Sequence, residues 1–173
     1  LFLLLICLAL ASCASPQAYK SPQQCLEDIE PTKQKAINFL LKNQYPNGAW
    51  GNATKTKGLN IYAPGATAHL DFQSAVTALC MMALSKENTS AEIHKSLKRA
   101  TRYMLKNIPN ITRADGQWVG NIWSLAYIIR ALLRVRPLFP EMSAAIDDGI
   151  NSQLHKLKVF SYRKGGWGYY DFS

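Results

Sequence analysis

The stretch from Ala36 to Gly51, AINFLLKNQYPNGAWG, predicts the fold. Its apolar residues follow helical spacing, and the predicted helix ends at Gln44. A Pro-Asn-Gly turn comes next, and Trp50 then lies between two small residues. A glutamine at a helix end can bond to free backbone groups there, and a tryptophan can cover the junction while its indole N–H finds an acceptor. We therefore expect a helix that is fastened to the next helix by this turn.

Five helices are predicted, and no strand-like run lies between them. They span about 31–44, 71–86, 89–108, 122–135 and 141–157. Pro31 is expected in the first turn of the first helix, and Thr89 with Glu92 forms a capping-box pattern before the third. The first, third and fifth helices are charged on one side, whereas the second and fourth are apolar nearly all round. The pattern predicts an all-α array of outer and inner helices in alternation.

The turns after the outer helices repeat. They read NGAWG around Trp50, DGQWVG around Trp118 and GGWGYY around Trp167. Repetition of this kind is typical of stacked helical pairs. The residues expected to build these junctions are Gln44, Gly48, Trp50, Gly116, Trp118, Gly166 and Trp167.

Residues 31–173 resemble the terpenoid cyclase and protein prenyltransferase superfamily, which carries squalene cyclase-like QW repeats. The residues that match the repeat are Ala36, Phe39, Leu40, Gln44, Gly48 and Trp50. The match is partial in the later repeats, where Ile108 lies near the position of a glutamine. The resemblance implies an α/α toroid, here an incomplete arc of outer–inner helix pairs that is truncated at the C-terminus. In such an arc the inner faces of the second and fourth helices would be incompletely covered.

In that family the functional groups lie in the central cavity, where the inner helices begin. The resemblance implies that the matching positions here are His69, Asp71, Asn121, Tyr170 and Asp171. An N-cap role is the alternative for Asp71 and Asp171.

The fourth helix adds a polar stripe to these cavity candidates. The stripe consists of Ser124, Tyr127, Arg130 and Arg134, and it would suit an anionic or glycan ligand. We include Tyr127 and Arg130 among the candidates. Alternatively, both arginines extend to solvent or pair with acidic neighbours.

Complete catalytic motifs of that family do not occur in the sequence. The D-x-D-D motif of the cyclases is represented only by Asp147 and Asp148, on an outer helix, and neither Asp-x-Cys nor Gly-Cys-Gly-Glu-Gln occurs. We therefore assign no catalytic residues, no metal and no cofactor from the sequence.

The first residues, LFLLLICLALASC, predict a secretory signal. Residues 1–12 form the predicted signal peptide, Cys13 the lipid-modified residue of a lipoprotein, and residues 13–30 a polar tether. Cleavage after Ala11 by an ordinary signal peptidase is the alternative, and it would give a secreted protein.

Three functions remain open from the sequence. The first is a cell-envelope lipoprotein, attached to the membrane, whose cavity binds a small-molecule, isoprenoid or glycan ligand. The second is an enzyme on the same scaffold with catalytic residues beyond Ser173, and the third is a protein-interaction module. The net charge of +9 favours acidic partners, but the lysines and arginines form no basic block, so we do not expect nucleic acid. We favour the first function.

Overall fold

The computed structural model describes residues 22–51, 66–87, 90–111 and 122–168. The helices in these ranges are α1 (Pro22–Lys42), α2 (Ala66–Lys86), α3 (Ala91–Asn107), α4 (Ile122–Val135) and α5 (Ser143–Val159). Short 3₁₀ turns span Ile108–Asn110, Arg136–Leu138 and Pro140–Met142. The described residues contain no strand. The predicted all-α fold class is confirmed for this part of the chain.

The chain divides into two units, residues 1–38 and 39–173, and α1 begins in the first and ends in the second. The helix starts at Pro22, inside the stretch predicted as a tether, and Pro31 lies within it rather than in its first turn. Gln, Leu, Glu and Ile between these prolines favour helix, and Pro22 suits a first position. The predicted start of this helix was therefore too late.

In the second unit, α2 packs chiefly against α4, and α4 also packs against α5. Helix α3 packs mainly on α2. Fully buried apolar side chains fill the space between these four helices, and they recur at helical spacing on each one. They include Met81, Leu84, Leu97, Met104, Leu125, Ile128, Leu132 and Ile146.

Each of the two predicted inner helices has exposed apolar side chains. On α2, Phe72, Val76 and Leu79 are 45%, 39% and 45% exposed. On α4, Trp123 and Leu133 are also exposed. Both helices therefore expose apolar side chains, and the assignment of these side chains to the inner face of an arc stays a prediction.

Two further helix starts differ from the prediction. Helix α2 begins at Ala66, because the alanines and leucine before Asp71 extend it toward the N-terminus. Asp71 therefore lies in the second turn, and its predicted N-cap role is wrong. Helix α3 is capped by Ser90, whose side chain accepts from the backbone N–H of Ile93 at 3.2 Å. Thr89, the predicted cap, lies outside the described residues.

Candidate ligand-binding site

The Trp50 turn, residues 45–51, anchors the candidate site. Its backbone closes through two hydrogen bonds, from Tyr45 N to Ala49 O and from Gly48 N to Tyr45 O, both 2.9 Å long. Gly48 has a φ of 98°, which disfavours a side chain. The Trp50 ring is 3% exposed, and its Nε1 donates to Leu40 O at 2.8 Å. The turn is thus closed onto the last turns of α1.

Gln44 joins this turn to α3. Its Nε2 donates to Gly48 O at 2.9 Å and to Ser96 O at 3.0 Å. Its Oε1 accepts from Ser96 Oγ at 2.9 Å and from the guanidinium of Arg99. One amide therefore bonds both to the turn and to α3.

Helix α2 is held on the same turn by hydrogen bonds. The backbone N–H of Trp50 donates to Thr77 Oγ1 at 3.0 Å, and Gln73 Nε2 donates to Gly51 O at 2.9 Å. The hydroxyl of Tyr103, on α3, donates to Gln73 Oε1 at 2.8 Å. These bonds fix Gln73 and Tyr103 beside each other.

A pocket of about 440 Å³ opens where these groups meet. Its volume falls in the usual range of ligand pockets, roughly 300–1,000 Å³. It lies between the start of α2, the end of α3 and the Trp50 turn. Its lining residues are Asn47, Leu70, Gln73, Arg102, Tyr103, Lys106 and Asn107. The lining is mainly polar side chains, with Leu70 as its aliphatic member.

Two cations give this pocket its charge. Arg102 and Lys106 are one helical turn apart on α3, and both side chains are exposed. The partial negative charge at the C-terminal end of α3 offsets part of their mutual repulsion. Carboxylate and phosphate groups are the natural partners of such a pair. The pocket is therefore suited to an anionic ligand.

The neutral groups of the pocket supply donors and acceptors. Asn47 Oδ1 accepts from Ala49 N at 3.0 Å, so the amide N–H₂ of Asn47 is the group that can face a ligand. Asn107 Nδ2 donates to Tyr103 O at 2.8 Å, which leaves the amide oxygen of Asn107 for the pocket. Burial raises the pKa of Tyr103, so its phenol stays protonated at neutral pH. These groups can orient a ligand that the two cations attract.

A second polar cluster lies inside the fold around Asp71. The carboxyl is 6% exposed, and burial raises its pKa to about 7 while the charge of Lys156 opposes the rise. Lys156 Nζ donates to Ile108 O at 2.8 Å and to Ile111 O at 2.7 Å, and burial lowers its pKa. Gln153 is fully buried, and neither atom of its amide bonds to another described residue. The cluster places a carboxyl that titrates near neutral pH inside the fold, and Asp71 does not line the pocket.

None of the cavity residues predicted from the sequence lines this pocket. Asp71 is buried toward Lys156, whereas Arg130 is exposed and Tyr127 half-buried on α4. The backbone of His69 lies in the first turn of α2. The predicted residues that lie outside the described ranges are Asn121, Tyr170, Asp171, Gly116 and Trp118. Of the polar stripe on α4, Ser124 is buried and Arg134 exposed.

Asp147, from the incomplete acidic motif on α5, forms a surface ion pair with Arg136. Arg136 Nε and Nη2 donate to the two carboxylate oxygens of Asp147 at 2.6 and 2.7 Å. This hydrogen bonding lowers the pKa of Asp147. A proton-donating acid needs the opposite shift, so Asp147 is unsuited to that role.

None of the residues that line this pocket was among the site residues predicted from the sequence. The prediction placed the ligand where the predicted inner helices begin, whereas Arg102, Tyr103 and Lys106 belong to α3, which was predicted to be an outer helix. The available signal was the pair of cations one turn apart near the end of that helix. Their juxtaposition with Gln73 and Asn47 depends on tertiary packing.

Neither a membrane-spanning helix nor a cluster of metal ligands occurs among the described residues. Within ranges 22–51, 66–87, 90–111 and 122–168, no helix combines the length and apolar character needed to span a bilayer. The same part of the chain brings together no group of three His, Cys, Asp or Glu side chains that could hold a metal ion.

No protein-family model, curated protein or solved structure matches this chain. The resemblance to the terpenoid cyclase and protein prenyltransferase superfamily stays a prediction from the repeat residues.

Proposed function

We propose that this chain is a membrane-tethered lipoprotein of the cell envelope whose helical domain binds an anionic ligand. The observation that carries the binding role is the pocket beside Tyr103. There, two exposed cations, two orienting amides and a protonated phenol converge on a space of about 440 Å³. The ligand class is a small molecule with a carboxylate or phosphate group, such as an acidic sugar or a diphosphate.

The finer architecture is part of the same proposal. We assign the helices to an incomplete arc of an α/α toroid, with α2 and α4 inside and α1, α3 and α5 outside. The adjacency of α2 and α4 supports this assignment. The exposed apolar side chains of both helices also support it, because the inner face of an incomplete arc leaves such side chains uncovered.

The attachment to the membrane rests on the sequence. Leu10-Ala11-Ser12-Cys13 has the pattern of a lipid-modification site, and an acyl chain contributes roughly 0.8 kcal/mol per buried CH₂ to membrane binding. The Cys13→Ser variant should move from the membrane fraction to the soluble fraction after cell lysis. Unchanged partitioning of that variant would overturn the anchoring.

Ligand binding is tested by calorimetric titration with glucuronate and with inorganic diphosphate at low salt. At least one of the two should bind, with an affinity that falls as salt is added. Replacing Arg102 and Lys106 together by alanine should abolish that binding. The matched control replaces the exposed residues Lys95 and Lys158, which removes the same charge away from the pocket.

The control separates a site from a general effect of charge. Equal weakening by both double variants would show that the net charge of the protein attracts the anion and would overturn the pocket assignment. Absence of heat with either anion, for a folded protein at low salt, would overturn the anionic ligand class.

A further inference from the structure

A stripe of basic side chains runs along α3 into the pocket. It consists of Lys95, Arg99, Arg102 and Lys106, and we call it the α3 basic stripe. An α-helix turns by about 100° per residue, so these four positions lie within about 60° of one another around the helix axis. The helix rises about 1.5 Å per residue, so the stripe is about 16 Å long, with a cation roughly every 5–6 Å. Arg102 and Lys106 line the pocket, which is therefore one end of a longer basic surface.

The cations of the stripe have no acidic partners among the described residues. Three of the four side chains are exposed, namely Lys95, Arg102 and Lys106. None of these three forms an ion pair with a described carboxylate. Arg99 is half-buried and donates to the neutral amide oxygen of Gln44, so its charge is not paired either. By contrast, Lys98, beside the stripe, pairs with Glu141 at 2.6 Å.

The length of the stripe indicates a ligand larger than a single small anion. A small anion in the pocket reaches the pair of cations there, whereas Lys95 lies about 16 Å from Lys106 along the helix axis. A linear polymer with one negative charge per repeat can pair with all four cations at once. The stripe therefore matches a linear polyanion.

The neighbouring groups indicate which polyanion fits. The free amide groups of Asn47 and Asn107 in the pocket can bond to hydroxyl groups, which sugars offer in number. Tyr103 is the one Phe, Tyr or Trp residue of α3, and it is 7% exposed. Its burial leaves no phenyl, phenol or indole ring of this helix for a nucleobase to stack on. These features favour an acidic polysaccharide over a nucleic acid.

We propose that the α3 basic stripe binds an acidic polysaccharide, with the terminal sugar in the pocket and the following sugars along Arg99 and Lys95. The polymer carries one carboxylate per sugar, so that successive carboxylates pair with successive cations. The net charge of +9 adds long-range attraction for a polyanion. This inference rests on the proposed anion pocket and extends it, because it names a polymer as the ligand.

The test compares glucuronate with its β-1,4-linked tetramer by calorimetric titration of the full 173-residue chain at low salt. The tetramer should bind about tenfold more tightly, because its outer sugars reach the two cations beyond the pocket. Lys95→Ala should weaken binding of the tetramer about threefold and leave binding of the monomer unchanged. The matched control is Lys158→Ala, which removes an exposed lysine of α5 and should change neither affinity.

The extended site and the pocket can fail separately. Equal affinities of the monomer and the tetramer would overturn the extended site and leave the pocket assignment intact. Equal weakening of tetramer binding by the Lys95 and Lys158 substitutions would also overturn it, because attraction by net charge would then explain the gain. Binding of diphosphate without binding of either glucuronate would overturn the polysaccharide alone. Failure of all three anions to bind would overturn the pocket as well.

A nucleic acid probe tests the chemical class of the polymer. The probe is a single-stranded thymidine pentanucleotide, which carries four backbone phosphates and so matches the charge of the tetramer. It should bind more weakly than the tetramer, because it offers fewer hydroxyl groups to the pocket amides. Equally tight binding of the pentanucleotide, with the same loss in the Lys95→Ala chain, would indicate a general polyanion site and overturn the polysaccharide.

Discussion

The Trp50 turn (residues 45–51) and the Trp167 turn (residues 162–168) share their closing hydrogen bonds and differ in their surroundings. They also differ at one backbone angle, because Gly166 has a φ of 84° where the equivalent Ala49 has no positive φ. Each closes with the same pair of backbone hydrogen bonds and the same indole-to-carbonyl bond. Only the first lies under α2 and against α3. The comparison teaches that these closing hydrogen bonds form with or without a covering helix, whereas burial of the tryptophan depends on a neighbouring helix.

The residue before each turn differs in a way that matches this contrast. Gln44 reaches across to Ser96 and Arg99 on α3. At the corresponding place, the hydroxyl of Ser161 donates to Lys158 O, at the end of its own helix. A long amide side chain connects two helices, and a short hydroxyl bonds only locally.

The largest expected difference comes from removing each indole. Trp50→Ala should lower the free energy of unfolding by about 4 kcal/mol, because it empties a buried site. Trp167→Ala should cost only about 1 kcal/mol, because half of its ring is already in water. Urea denaturation followed by circular dichroism measures both. Equal losses would show that the two rings contribute alike and would remove the basis of the comparison.

The helix that covers the Trp50 turn, α2, also contains Asp71. A change of pH tests how the ionisation of Asp71 affects the stability of the fold. Its pKa is about 7 in the folded protein, against an ordinary value of 3.8. The folded state therefore holds this proton more tightly than the unfolded state. The contribution of Asp71 to the free energy of unfolding is fully present below about pH 4. Roughly 4 kcal/mol of it is lost as the pH rises to about 7.

The measurement is the free energy of unfolding at several pH values between 4 and 8. Asp71→Asn should reduce the fall in the free energy of unfolding between these pH values, since the amide does not ionise. Persistence of the same slope in that variant would assign the titration to another group.

Substituting the two equivalent glycines compares the packed and open turns directly. Gly48→Ala should cost about 3 kcal/mol, because a strained φ is combined with a clash against the backbone of α3. Gly165→Ala should cost about 1 kcal/mol, which is the conformational term alone. Thermal unfolding of the two variants measures the difference. A Gly165 variant as unstable as the Gly48 variant would show that its surroundings are also packed.

The smallest expected effect concerns the hydroxyl that bonds to Trp50. Thr77→Val keeps the shape of the side chain and leaves the buried N–H of Trp50 without its acceptor, at a cost of about 1–2 kcal/mol. Hydrogen exchange of that amide should quicken in parallel, while the corresponding amide of Trp167 should be unaffected. Unchanged exchange at Trp50 would mean that the hydroxyl does not protect it.

The helices and the Trp50 turn were largely predictable, because they depend on local periodicity and on turn-forming residues. Helix α4 has the predicted bounds, since its apolar run is long and uninterrupted. The start of α2 was mispredicted because Asp71 resembles a cap in sequence, whereas the residues before it continue the helix. The pocket was missed because Gln73, Arg102 and Asn47 are brought together only by packing. Local sequence patterns therefore determine the helices and the turn, whereas the pocket depends on tertiary contacts.

The side chain of Gln73 makes Trp50 an intrinsic optical reporter. Its amide touches Tyr103 in the pocket on one side and Gly51, next to the indole residue, on the other. An anion that displaces the phenol would move this amide and alter the field around the buried indole. In a chain whose other three tryptophans are replaced by phenylalanine, the emission of Trp50 should therefore record occupancy of the pocket, and Gln73→Leu should silence that signal.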